Sequence, residues 1–452
     1  MEDSQNKIIE KTEISEEQKE LNNKMKKIFL NSFTQEQENI KEEKKETLSE
    51  IIVETNEENI ITKTGKYDEI LKYKNEFNLS KLPKNFHLFY YKFKNANDDK
   101  IAYRIGKLLL FTYGKNYPKI TNSKNKKTYT TDTNWGCMIR CGQMILSHGI
   151  YRVLKSKKID TKNALYYTFS LFNNYPIKEN NLHNYFNGML NKYYSLIREK
   201  EGETFNKIKE FFPPFSIKTL CEFGELNGKY AGEWFSDVII THIFKNISEY
   251  YEIFNNENLN LKIMNFQSCI EIKDILNTCF IEKKYEKGND NYIHLNKKYY
   301  YFNKIGIIFV NVRIGLDAIP KEYYQGIREL FNLKECIGII GGKTRQAYYF
   351  IGYNNDEDSL LYLDPHVAKE EDKTINFNNI LSKHIIKPVY TLKLSKMSTG
   401  FTIGFCFRNY EEFLNLFLFW QRAKQSRVPI LGVVKQHIVV DIKDNNFDND
   451  DF

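Results

Sequence analysis

Long apolar runs are missing from this sequence of 452 residues. None approaches the roughly 20 consecutive apolar residues that a helix needs to cross a bilayer, which argues against an integral membrane protein. Cysteine is sparse: there are seven, an odd number, and no Cys-x-x-Cys pair. A disulfide framework is therefore not expected, and the ligand spacing of a structural zinc site is absent too. The first residues, MEDSQNKIIEKTE, are acidic and polar, unlike a secretory leader. Neither an internal repeat nor a nucleic-acid-binding motif is found. The expectation is a soluble protein of the reducing cytosol with free thiols, no metal and no cofactor.

What is present is aromatic and apolar. The chain is 41% hydrophobic and 15% aromatic, with 31 Tyr and 33 Phe, enough for a sizeable core. The net charge of +8 conceals an asymmetry. Residues 1–60 hold 16 acidic and 9 basic residues, a net of −7, so the remainder carries about +15. A basic body suits an acidic partner or a membrane surface. Its lysines are scattered among asparagines, the pattern of a solvated face.

Residues 1–65 are Glu/Lys/Asn-rich and read as a disordered or loosely helical extension. Aromatics become dense at NFHLFYYKF (85–93), where the folded body is expected to start. That body is expected to run over 86–440, ahead of an acidic mobile tail at 441–452. Apolar recurrence predicts helices over 137–154, 234–247 and 409–424. β-Branched and aromatic runs predict strands over 304–314, 336–342, 347–353, 360–364 and 401–407. The strands at 347–353 and 360–364 flank NNDEDS and read as a hairpin. Helices first and an antiparallel sheet later indicate an α+β fold.

Three segments carry candidate chemistry. GIIGGKT (338–344) is one residue too short for a phosphate-binding loop, and the strand-like AYYFIGY follows it instead of a helix. Gly341 and Gly342 are better explained by a tight turn or a close backbone approach. In LDPH (363–366), Asp364 and His366 are two residues apart at a strand end, so they project to one face. Pro365 stiffens the link between them. In NWGCMIRCGQM (134–144), Cys137 stands where a loop becomes a helix, and free N–H groups with the helix dipole favour a thiolate there. Gly136 keeps a side chain away from the sulfur, and Trp135 can shield it from water. A nucleophilic thiol needs a base and a group that orients the base. His366 and Asp364 are of the right types, though spacing alone does not bring them to Cys137. Cys141, one turn after Cys137, is poorly placed for a relaxed disulfide and reads as packing. YDEI (67–70) has the aromatic-x-x-aliphatic pattern of strand-addition peptides, a pattern frequent by chance.

Together these residues resemble the autophagin family of cysteine peptidases. The resemblance rests on WGCMIRCGQM, on FTYGKNYPKI (111–120), on GGKTRQAYYFIGYNNDEDSLLYLDPH (341–366), and on a late GFCF followed by a Glu-Glu-Phe helix. It covers about 86–424. It implies a papain-like fold with a small accessory domain, the latter within an insertion at about 155–232 that is longer than usual. It implies Cys137 as nucleophile, His366 as general base and acid, Asp364 as its orienting group and Tyr113 as an oxyanion donor. It places Trp234 over the substrate groove, together with Gly341, Gly342 and Lys343 of a loop that moves to admit substrate. The implied substrate is a ubiquitin-like autophagy modifier, cut after its C-terminal glycine and later released from phosphatidylethanolamine by a monomeric enzyme. An isopeptidase of deubiquitinase type, or a catalytically weak modifier-binding member, are the alternatives. The chain departs from the family at Asn134, at Ser236-Asp237-Val238, at Thr344 and at Tyr348, where His is common.

Overall fold

The computed structural model describes residues 77, 79, 82–94, 99–176, 212–250, 259–285, 291–295, 298–371, 373, 377–385, 387–425 and 430–433. All belong to the unit Ile70–Phe452. The acidic extension, YDEI, part of the insertion (177–211) and the acidic tail lie outside the described residues.

The chain enters through two short paired strands, β1 (Phe86–Leu88) and β2 (Tyr91–Phe93), at the place where aromatics become dense. Helix α1 (Asp99–Gly106) leads to the hairpin β3 (Gly114–Thr121) and β4 (Thr128–Thr131). Helix α2 (Cys137–Ser156) follows and is buried along most of its length. Helices α3 (Thr161–Ser170), α4 (Ile217–Glu225) and α5 (Asp237–Tyr250) come next. Asp160 and Ser216 cap α3 and α4 by accepting from the backbone N–H three residues on. Described residues of the insertion, such as Leu165, Phe169 and Leu220, join the same hydrophobic core as the rest.

The second half of the chain builds the sheet. Its strands are β5 (Leu261–Gln267), β10 (Ile305–Arg313), β11 (Cys336–Lys343), β12 (Gln346–Asn354), β13 (Ser359–Leu363), β15 (Tyr390–Lys393) and β16 (Gly400–Phe407), in the order β15-β13-β12-β11-β16-β10-β5. β1 extends it by pairing with β12. All pairs are antiparallel except β5 with β10. Between β5 and β10 the chain makes the short β6 (Cys269–Ile270), helix α6 (Ile272–Cys279) and a small meander of β7 (Phe280–Lys283), β8 (Tyr292–Leu295) and β9 (Lys298–Phe302).

Why β10 and β16 are apolar without alternation is clear from what covers them. On β16, a Cβ at Gly404 would lie 2.7 Å from Ile145 of α2. The next residue, Phe405, meets Trp420 of the late helix Tyr410–Gln425 at 5.8 Å between ring centroids. Neighbouring strand residues face opposite sides, so helices cover both faces of the sheet. The fold is α+β with an essentially antiparallel sheet, as the element order indicates. The helix expected over 234–247 begins later, at Asp237, which leaves Trp234 in the preceding turn. The P-loop alternative fails on topology, since Lys343 pairs with Gln346 in a two-residue hairpin and no helix follows.

Candidate active site

The nucleophile candidate opens α2. The backbone turns sharply before it: the carbonyl of Asp132 accepts the N–H groups of Trp135 (3.1 Å) and Gly136 (2.8 Å). Asn134 has φ +72°, a conformation asparagine tolerates, so the departure from the family pattern keeps the turn. Gly136 is the N-cap and offers no side-chain cap, which leaves the first-turn N–H groups free to act on a charge at Cys137. Gly136 also makes room on another side. A Cβ there would lie 2.4 Å from the Asp132 carboxylate, so glycine makes room for Asp132. Cys137 is fully buried. Trp135 is nearly so, with its indole N–H donated to the Thr131 carbonyl at 3.1 Å.

The histidine candidate follows β13. Asp364 folds back over the Pro365 link, and its Oδ1 accepts both the backbone N–H of His366 (2.9 Å) and its Nδ1 (2.5 Å). That fixes the ring and its tautomer. The other ring nitrogen, Nε2, is buried and has no hydrogen-bond partner, while Cys137 is near enough to raise the pKa of the ring. Thiol–imidazole contacts of this kind are often long before substrate binds. Burial pulls the His366 pKa down, but the hydrogen bond to Asp364 and the influence of Cys137 outweigh this and hold it at about 9.

Tyr113 completes the group. It is buried, and its ring meets His366 edge-on at 5.6 Å and 84°. Its hydroxyl interacts with Cys137, and burial together with that sulfur raises its pKa, so it remains a proton donor. Its backbone is held on both sides: its N–H donates to Pro365 O (3.0 Å), and its carbonyl accepts from Lys369 N (2.8 Å).

The remaining candidates lie around this centre. Gly341 pairs with Tyr348 across β11 and β12, and Tyr348 is a second ring edge-on to His366, at 5.5 Å and 67°. A Cβ on Gly342 would come within 2.0 Å of Gln346 O, and one on Gly341 within 2.8 Å of Phe401, so both glycines answer to close approach. Lys343 is half-buried at the hairpin end, and Arg345 in the turn has φ +64°. Trp234 is half-buried. Its loop is tied to the β3–β4 hairpin: Asn122 Nδ2 donates to Ala231 O (2.8 Å), and the Tyr129 ring lies against Gly232 and Trp135. Thus Cys137, His366, Asp364 and Tyr113 meet, whereas Trp234 stands on an adjoining loop. Cys141 is fully buried, and burial next to Cys137 raises its pKa, so it stays a thiol. Two further histidines, His148 and His384, are packed inside the fold against backbone carbonyls.

Sequence reasoning missed a buried ionic cluster beside this centre. Arg140 meets Asp132 through Nε (2.8 Å) and Nη2 (3.1 Å), and Glu371 through Nη2 (2.9 Å). A signal existed: Arg140 is charged yet lies one turn after Cys137 on a helix buried along most of its length, and such a position demands carboxylate partners.

The model of the peptidase C54 catalytic domain matches residues 98–418. The chain is similar to cysteine protease ATG4C of Xenopus laevis, 28% identical over 333 residues, which are 67% of this chain and 66% of that protein. It is similar to human cysteine protease ATG4C, 27% identical over 336 residues, 67% of each chain. Cysteine protease ATG4A of Gallus gallus is 22% identical over 365 residues, 76% of this chain and 84% of that one. The chain spans just under two thirds of the length of the Xenopus ATG4C and ATG4D relatives it matches. With most of the described body matched by the family model, the chain belongs to the peptidase C54 family, the autophagin cysteine peptidases.

Proposed function

We propose that the protein is a cysteine endopeptidase acting on a ubiquitin-like autophagy modifier. The observation that carries this is the directed histidine: Nδ1 is fixed by Asp364, Nε2 is left without a hydrogen-bond partner, and the pKa of the ring is raised in part by Cys137 at an uncapped helix start. In this reading the Cys137 sulfur attacks the carbonyl carbon of the modifier's C-terminal glycine, and its proton resides on His366 Nε2. The tetrahedral oxyanion is held by the Tyr113 hydroxyl and the Cys137 backbone N–H. His366 then gives its proton to the leaving amine, and the C–N bond breaks. Water, deprotonated by His366, cleaves the thioester, returns the thiol and releases a carboxylate.

The same steps serve two substrates that share an amide after glycine: a precursor with a C-terminal extension, and a conjugate whose amine is phosphatidylethanolamine. Trp234 and the Gly341–Gly342–Lys343 hairpin narrow the approach in this reading, which favours a chain ending in glycine. The protein works as a cytoplasmic monomer without cofactor, with transient contact at the membrane surface for the lipid conjugate. Among the described residues no helix is long and apolar enough to cross a membrane.

The test mixes the full chain with a modifier carrying residues beyond its C-terminal glycine and reads product mass, with Cys137→Ala as control. A single cut after glycine, lost in the variant, supports the reading. Intact precursor with the unmutated chain refutes it.

A further inference from the structure

We infer that Asp132, Arg140 and Glu371 form a buried clamp that sets the relative positions of the nucleophile, the oxyanion donor and the histidine. The inference rests on the roles given above to Cys137, Tyr113 and His366, and adds three positioning residues to them.

The three side chains come from different parts of the chain. Arg140 lies on α2, one turn after Cys137. Asp132 ends the β3–β4 hairpin, and its main-chain carbonyl shapes the turn into Cys137. Glu371 lies five residues after His366, just past the strand β14 (Lys369–Glu370), which pairs with Gly114 and Lys115. Each segment bearing a reacting group therefore sends one charged side chain to a common point.

That point is closed. The Asp132 and Arg140 side chains are 0% and 2% exposed and that of Glu371 9%. The oxygens are partnered as well. Asp132 Oδ1 accepts the Gly114 N–H at 2.7 Å, next to Tyr113, and Glu371 Oε1 accepts Asn174 Nδ2 at 2.7 Å. Gly114 is wrapped so tightly that a Cβ would lie 2.2 Å from Glu371 Oε1 and 2.7 Å from Arg140 Nη2. The Glu371 N–H in turn donates to Lys115 O at 3.2 Å.

Two carboxylates meet one guanidinium in the interior, and burial pushes the Glu371 pKa up against the pull of Arg140. Burying such a cluster is costly, and apolar side chains of similar volume often stabilise as well or better. What apolar packing cannot supply is direction. The planar guanidinium engages Asp132 through two nitrogens and reaches Glu371 with one of them, fixing distance and angle among the three segments. A clamp of this kind acts on turnover, because a misplacement of about 1 Å between reacting groups costs roughly 10²-fold in rate.

The experiment compares Glu371→Ala and Glu371→Gln in the full chain. Three quantities are read: kcat and KM on a modifier precursor, the rate of iodoacetamide alkylation at Cys137 located by peptide mass, and thermal unfolding. Alanine is expected to lower kcat about 10²-fold with KM within about twofold, and to slow alkylation at neutral pH in a protein still folded at assay temperature. Glutamine, which retains an oxygen for Arg140 and Asn174, is expected to recover most of both rates. Should the alanine variant not fold, Asn174→Ala removes the hydrogen bond to Glu371, together with the one Asn174 Oδ1 accepts from the Ile217 N–H, and is expected to lower kcat and alkylation together by several-fold. Unchanged kcat and alkylation in a folded Glu371→Ala, or in Asn174→Ala where that variant replaces it, would overturn the clamp. So would equal losses in the alanine and glutamine variants. Alkylation needs no substrate, so the clamp can be judged even if the modifier proves not to be cleaved.

Discussion

Two carboxylate–cation clusters lie side by side on the same segments, and they differ in how far water reaches them. Asp364 and His366 have side chains 28% and 24% exposed, whereas Asp132 and Arg140 are 0% and 2% exposed. In the proposed mechanism the first cluster has to change charge, so its cation is a histidine, which titrates. The second has to keep its charge, so its cation is an arginine; burial opposes its charge, but Asp132 and Glu371 hold its pKa up. On the proposed roles, similar residue types serve chemistry in one place and geometry in the other, and solvent access separates the two uses.

The largest effect that would sharpen this contrast comes from removing the nucleophile. Cys137→Ala is expected to abolish cleavage of a modifier precursor. It deletes one sulfur from a fully buried side chain, so unfolding should shift by only about 1 kcal/mol. His366→Ala should be nearly as severe. Detectable single-site cleavage after glycine by Cys137→Ala would mean that the sulfur is not the attacking group.

Next is Asp364→Asn. Loss of the carboxylate removes the ring's orientation, and on the order of 10³-fold in turnover is expected, measured at fixed pH. The pH profile adds a sign. The pKa of His366 is raised, to about 9, so the protonated ring needed to donate to the leaving amine is lost as pH rises through that value. Its contribution to stability follows the same direction, full below the ordinary histidine value of 6.5 and gone above about 9. Turnover in the unmutated chain should therefore fall on an alkaline limb near pH 9, and Asp364→Asn should move that limb lower. A limb that stays in place would assign it to another group.

Tyr113→Phe should cost about 10²-fold in kcat with little change in KM, as expected for a donor used in the transition state. An unchanged kcat would leave Tyr113 as a wall of the site only. On stability, Gly342→Ala places a methyl group against the Gln346 carbonyl, and a loss of about 1–3 kcal/mol is expected in denaturant unfolding.

How much of this was legible follows from what sequence patterns encode. The LDPH geometry was legible because its contacts are local: Asp364 reaches His366 over two residues, with a proline between. Helix α2 and the late strands were legible because their periods and apolar runs are long. That Cys137 and His366 meet was not written in spacing, since 229 residues separate them; it came from resemblance and then from the fold. The β7–β9 meander and the β3–β4 hairpin went unread because their strands are short or polar, and pairing rather than sequence pattern fixes them. The clamp went unread for a similar reason. Arg140 to Glu371 is a contact across 231 residues, and nothing beside Glu371 in the chain distinguishes it from a solvated glutamate.

The smallest effect tests the boundary of the reacting cluster. Tyr348 touches His366 with its ring edge, packs on Tyr362 at 4.3 Å, and donates its hydroxyl to Gln346 Oε1 at 2.9 Å beside the hairpin turn. Burial, with Tyr362 and Asp364 nearby, raises its pKa, so its hydroxyl is a hydrogen-bond donor and not a base at neutral pH. Tyr348→Phe keeps the ring and loses a hydrogen bond worth about 1 kcal/mol, so turnover should change by no more than about threefold. Tyr348→Ala removes the wall itself. If Asp364 alone fixed the histidine, both substitutions would be equally mild. If packing shares that task, alanine should lower kcat about tenfold while phenylalanine does not, a difference that steady-state kinetics on one precursor can resolve.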